Sequence, residues 1–116
     1  MNLYQLDPVT IAKGASANLV YVFENKDKSA VDYSTHEGYF ILSQYGFEDE
    51  NVFSTSMNIE GNDTFVAVLD TADTEDIEEG TYTIKIVLVD ENGNQYKYAR
   101  GILNVLKDTS EIEVTV

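Results

Sequence analysis

Along most of this chain apolar and polar residues alternate with a period of two. That is the spacing of strands with one covered face, not the 3.6 spacing of helices. Leu19-Val20-Tyr21-Val22-Phe23 is β-branched and aromatic, and the polar cluster Glu24 to Ser29 closes it as a turn. Gly38 to Ser43 reads as a second strand and Thr64 to Leu69 as a third. In the third, Phe65, Ala67 and Leu69 share one face, while Val66 and Val68 share the other. The clearest unit is Thr81 to Val89, whose Tyr82, Ile84, Ile86 and Leu88 should face the core. It runs into Asp90-Glu91-Asn92-Gly93-Asn94, where an Asn-Gly pair between apolar runs predicts a hairpin. Gln95 to Leu106 is then the return strand, with Gly101 as a bulge or point of close approach. One helical turn is expected at Thr74 to Glu79, crossing between sheets. Short strands separated by polar turns predict an all-β sandwich or barrel.

The two ends differ in kind. Pro8 precedes Val9-Thr10-Ile11, which suits a first, edge strand because proline has no N–H to donate. Lys107 to Ser110 breaks the pattern, and Glu111-Ile112-Glu113-Val114-Thr115-Val116 resumes strict alternation. The expected division is a domain over 1–107 and a C-terminal strand or extension over 108–116. Ile112, Val114 and Val116 form an apolar stripe that belongs to a further strand of the same domain, to a frayed tail, or to a strand offered to a neighbouring subunit.

At 116 residues the chain is one domain by length. It has no cysteine, which excludes a disulfide framework, thiolate metal sites and thiol nucleophiles. Its start lacks a basic patch followed by an apolar run, so no secretory signal is read there. No stretch approaches the ~20 apolar residues of a membrane-spanning helix. A soluble protein made in the cytoplasm is the expectation. Twenty-one acidic groups oppose seven basic ones, for a net charge of −14. No Lys or Arg lies between Lys28 and Lys85, whereas thirteen acids do. Such a field repels phosphate backbones and anionic lipid, so neither nucleic acid nor membrane is an expected partner.

Candidate chemistry is sparse. The single histidine, His36, makes a Ser-His-Asp set only with Ser34 and Asp32. Neighbours at i, i+2 and i+4 on an extended chain point the same way without converging, so His36 reads as an exposed loop residue. Glu48-Asp49-Glu50 reads as a solvated loop. Calcium would take clustered oxygens from Asp90, Asn92 and Asn94, or from Asp70, Asp73 and Asp76. Counting from Asp90, however, the sixth and twelfth positions are Gln95 and Gly101, which fails the EF-hand pattern. No catalytic, metal or cofactor site is therefore expected. Tyr96 and Tyr98, flanking Lys97, line one face of the last strand and are candidates for protein or sugar contact.

Two stretches resemble immunoglobulin-like domains. Glu79-Gly80-Thr81-Tyr82-Thr83-Ile84 is similar to the tyrosine corner that opens the penultimate strand, with Ile84 where antibody-type domains carry cysteine. The likeness extends to the immunoglobulin-like domains of tailed-phage virion proteins, of the capsid-decoration and upper-baseplate N-terminal type. It is carried by Ile11-Ala12-Lys13-Gly14, Leu19 to Phe23, Val31-Asp32-Tyr33, Tyr39 to Leu42, Gly80-Thr81-Tyr82 and Gly101-Ile102-Leu103-Asn104-Val105, and the likeness covers roughly residues 9–106. Tyr33-Ser34-Thr35 departs from the pattern, which prefers Leu-Thr-Gly there. The resemblance implies an antiparallel β-sandwich of about seven strands. It also implies a non-enzymatic virion subunit, a capsid decoration, cement or adaptor protein made in the host cytoplasm. Its partners would be other capsid or tail proteins or further copies of itself, met through strand edges and termini: Ile112, Val114, Val116, Tyr96 and Tyr98. A baseplate or tail component and a carbohydrate- or surface-adhesion module are the alternatives.

Overall fold

A computed structural model describes residues 4–23 and 32–107. Eight strands and one short helix follow in the order β1 (Tyr4–Gln5), β2 (Val9–Ala12), β3 (Ala17–Val22), β4 (Glu37–Gln44), β5 (Phe47–Glu60), β6 (Thr64–Leu69), α1 (Thr71–Glu75), β7 (Gly80–Val89) and β8 (Gln95–Leu106). The polar cluster 24–29 and the extension 108–116 lie outside the described residues.

The all-β expectation holds, but the sheet is mixed rather than antiparallel throughout, because the first strands pair in parallel with the last. The strands form one mixed sheet in the order β1-β8-β7-β4-β5-β6-β3, with β2 also on β8. β1 and β2 pair with β8 in parallel, at Tyr4–Ala99 and Val9–Leu103, so they form one edge strand interrupted around Asp7 and Pro8. All other pairs are antiparallel. Two ladders are joined through β5. Its first part pairs with β4 (Gly38–Met57 to Gln44–Phe47) and its last three residues with β6 (Asn58–Val66 to Glu60–Thr64). The sheet is thereby continuous and nearly closes into a barrel, with β1 and β2 at one free edge and β3 at the other.

The core follows from the alternation. Tyr82, Ile84, Ile86 and Leu88 of β7 are buried, as the spacing requires, and meet Phe40 and Leu42 of β4 and Phe65, Ala67 and Leu69 of β6. Gly38 is needed where Phe65 crosses β4, because a Cβ there would sit 2.6 Å from the Phe65 ring. Tyr82 turns its hydroxyl back to donate to the Glu78 carbonyl at 2.6 Å, fixing the corner where α1 gives way to β7.

Two expectations need correction and one is narrowed. Glu48-Asp49-Glu50 is not a loop but lies within β5, whose inward positions Phe53, Thr55, Met57 and Ile59 are weakly apolar and diluted by polar neighbours. The helix begins at Thr71, before the expected Thr74. Asp70 accepts from Asp73 N (2.9 Å) while Asp73 accepts from Asp70 N (3.0 Å), a reciprocal cap that starts the turn early. Of the two roles expected for Gly101, close approach is the one it has, since a Cβ there would lie 2.8 Å from Leu6 Cβ. The register shift in β8 falls at Tyr98: Ile86 pairs with Ala99 and Val87 with Lys97.

Candidate interaction surface

The residues singled out for chemistry are absorbed by local structure. Ser34 turns to Asp32 for its hydrogen bonds. Its hydroxyl and its amide both donate to Asp32 Oδ1, at 2.6 and 3.0 Å, forming a small polar turn. These bonds hold the Asp32 carboxyl below its ordinary pKa. His36 is half-buried, not exposed as expected. Its ring stands edge-on to Tyr33 at 5.1 Å, and its amide donates to Tyr33 O at 2.9 Å. Asp70 and Asp73 cap α1. Asp90 Oδ1 accepts from the amides of Asn92 and Asn94, both at 2.9 Å, and Gly93 takes the left-handed conformation (φ 84°) that the turn demands. Among the described residues no three His, Asp or Glu side chains converge as metal ligands.

What the described residues build is an open seam. The free edge of β3 faces the edge formed by β1 and β2, and a cleft of about 380 Å³ lies between residues 6–9 and residues 20–23. Local sequence sets both rims. On one side Leu6 N donates to Arg100 O at 2.9 Å, and Gly101 lets Leu6 settle onto β8. On the other, β3 alternates between half-buried Ala17, Leu19 and Tyr21 and exposed Asn18, Val20 and Val22. An inward face on an inner strand would be fully buried. Here it is half-buried because no described strand lies beyond it.

The outward face of this edge is also apolar. Val20 is 57% exposed, Val22 61% and Val68 45%, while Val66, opposite Val20, is buried. Proteins commonly guard an edge strand with Lys, Pro, a bulge or extreme shortness. β2 is short and preceded by Pro8, but the six residues of β3 contain no charge, proline or glycine. Within the seam, Tyr21 stacks over Phe40 at 6.5 Å, and its buried hydroxyl has no hydrogen-bond partner among the described residues. Burial pushes its pKa up to about 12.

A second exposed apolar group stands at the tip of the β4–β5 hairpin, where Tyr45 and Phe47 flank Gly46 and remain 59% and 66% exposed. Sequence reasoning missed both features. The valines of β3 look like core residues until the strand order puts them on an edge, and the aromatic-glycine-aromatic tip needs β5 to be recognised first. Of the expected contact residues, Tyr96 and Tyr98 lie in β8 but their side chains are outside the described part, as are Ile112, Val114 and Val116. No protein-family model matches the chain, and no curated protein matches it either.

Proposed function

We propose that this chain is an immunoglobulin-like domain acting as a structural accessory subunit of a tailed-phage virion, a capsid decoration, cement or adaptor protein. The fold assignment is supported by the division into a β3–β6 ladder and a β8–β7–β4 ladder, with β5 serving each in turn. It is supported further by the Tyr82 hydroxyl bond to Glu78 O, two residues before buried Ile84, which is the geometry of a tyrosine corner. The functional reading rests on one observation above the rest: the unguarded, apolar edge of β3 beside an open seam. An edge of that kind associates with another chain. The virion assignment rests on the sequence resemblance.

The direct test is composition. Tailed-phage particles from a host carrying the gene are purified by density gradient and their proteins quantified by mass spectrometry. The chain should be present in a fixed ratio to the major capsid or tail proteins. Its abundance in the lysate together with absence from the particles would rule the assignment out.

A further inference from the structure

We propose that the seam between β3 and the β1–β2 edge is the acceptor for residues 111–116 of a second copy of this chain, which enter it as an added strand. This rests on the accessory-subunit reading and names the partner and site of its self-assembly.

The acceptor is defined by its two rims. In an antiparallel ladder alternate residues of a strand turn their N–H and C=O groups to opposite sides. β3 spends one side on β6 and leaves the other facing the seam. Leu19 and Tyr21 on one rim, and Leu6 and Val9 on the other, pack against the core but remain half-buried. A strand with apolar residues at every second position would complete both the hydrogen bonding and the burial.

The sequence carries such a pattern at 111–116, outside the described residues. Glu111 to Val116 has six residues, the length of β3, and sets Ile112, Val114 and Val116 at alternate positions. Glu111, Glu113 and Thr115 occupy the positions between and keep the outward face polar. No proline interrupts the segment.

Topology separates the second copy from the chain's own tail. β8 ends beside β2: Ala12 is opposite Leu106, and Lys13 N donates to Leu106 O at 3.1 Å. At this end residues 13–16 bridge the seam from β2 to β3, and Thr74 Oγ1 holds the bridge through Ala15 O at 2.9 Å. A tail turning back from its own β8 would have to run past β2 and across that bridge. Connections that cross at one end of a sheet are strongly disfavoured. The cleft lies at the opposite end, where β2 begins and β3 finishes, and a segment from another copy reaches it there without a crossing.

The absence of native cysteine makes the test specific. Two full-length variants, Val20→Cys and Glu113→Cys, place one thiol each on the outward faces of acceptor and donor. Mixed and oxidised, they should yield the Val20–Glu113 disulfide at least fivefold above either self-linked product, as read by peptide mass spectrometry. Adding Val114→Lys to the donor should reduce that product at least fivefold. Light scattering on the cysteine-free chain should give a dimer or larger, and Val114→Lys should raise the dissociation constant at least tenfold. A monomer at every concentration with no mixed disulfide overturns the proposal. So does a chain carrying both cysteines that closes on itself as a monomer, since its own tail then fills the seam. An oligomer indifferent to Val114→Lys and without the mixed disulfide overturns the seam but leaves the accessory-subunit reading intact. A mixed disulfide in a protein missing from virions does the reverse.

Discussion

Replacing Tyr82 with Phe removes one oxygen atom and leaves the ring where it is. The ring is buried, and the lost hydroxyl donates to Glu78 O at 2.6 Å. A single intramolecular hydrogen bond contributes about 1 kcal/mol net, within about 0.5 either way. Glu78 is exposed, so water replaces the phenol at the freed carbonyl, and the penalty for a stranded acceptor is small. The expected loss is therefore about 1 kcal/mol, or a fall in Tm of about 4–6 °C for a domain near this size. Tyr39 supplies the control. Its hydroxyl donates to Glu37 at 2.8 Å on the exposed surface, where competition with water leaves Tyr39→Phe nearly neutral. Urea titration of the wild type and both variants measures the difference with unchanged slope. If Tyr82→Phe and Tyr39→Phe agree within error, the corner bond contributes nothing and the argument from it fails.

Tyr21→Phe should be neutral or slightly stabilising at pH 7, since it deletes a buried hydroxyl that has no partner among the described residues. It should also flatten the alkaline limb of the stability curve. A folded pKa of about 12 against an unfolded value of about 10 gives stability that is complete below pH ~10 and lost as pH rises to ~12. Because the ring is only half-buried that loss is at most about 2 kcal/mol, and equal slopes in wild type and variant would contradict it. Gly38→Ala drives a methyl to 2.6 Å from the Phe65 ring and should cost about 1–3 kcal/mol, visible as a lower urea midpoint. Thr74→Val removes the buried hydroxyl that bonds Ala15 O and should cost about 1–2 kcal/mol. Hydrogen exchange should then quicken at residues 13–16 rather than in the β7–β8 hairpin.

Legibility in the sequence followed how completely one face of each strand is covered. β7 reads plainly because Tyr82, Ile84, Ile86 and Leu88 are all buried and all strongly apolar. β5 was invisible because its inward set, Phe53, Thr55, Met57 and Ile59, includes a threonine and is flanked by serines, asparagines and the acidic run at Glu48. Tertiary pairing with β4 and β6, not local preference, makes it a strand. The α1 start was also in the sequence as Asp70-Thr71-Ala72-Asp73, but two carboxylates three apart read equally as ion ligands until their amide partners are seen. The seam was not legible at all. Alternation shows which side of β3 faces inward, but only the strand order shows that nothing among the described residues lies beside it.

Net charge gives the proposed assembly a distinctive sign. Each copy carries −14, so bringing two together opposes like fields across the whole contact. The proposed contact itself is apolar, formed by Leu19, Tyr21, Leu6 and Val9 against Ile112, Val114 and Val116, and burial of that kind is little affected by modest salt. Raising salt from about 0.02 M to about 0.5 M shortens the Debye length from roughly 20 Å to roughly 4 Å. The repulsion fades and the attraction stays, so self-association should tighten with added salt. Sedimentation equilibrium at three salt concentrations measures this directly. Weaker association at high salt would mean that acidic groups meet basic ones in the contact. With only seven Lys and Arg per copy, that result would point away from a second copy in the seam and toward a basic partner on the acidic face.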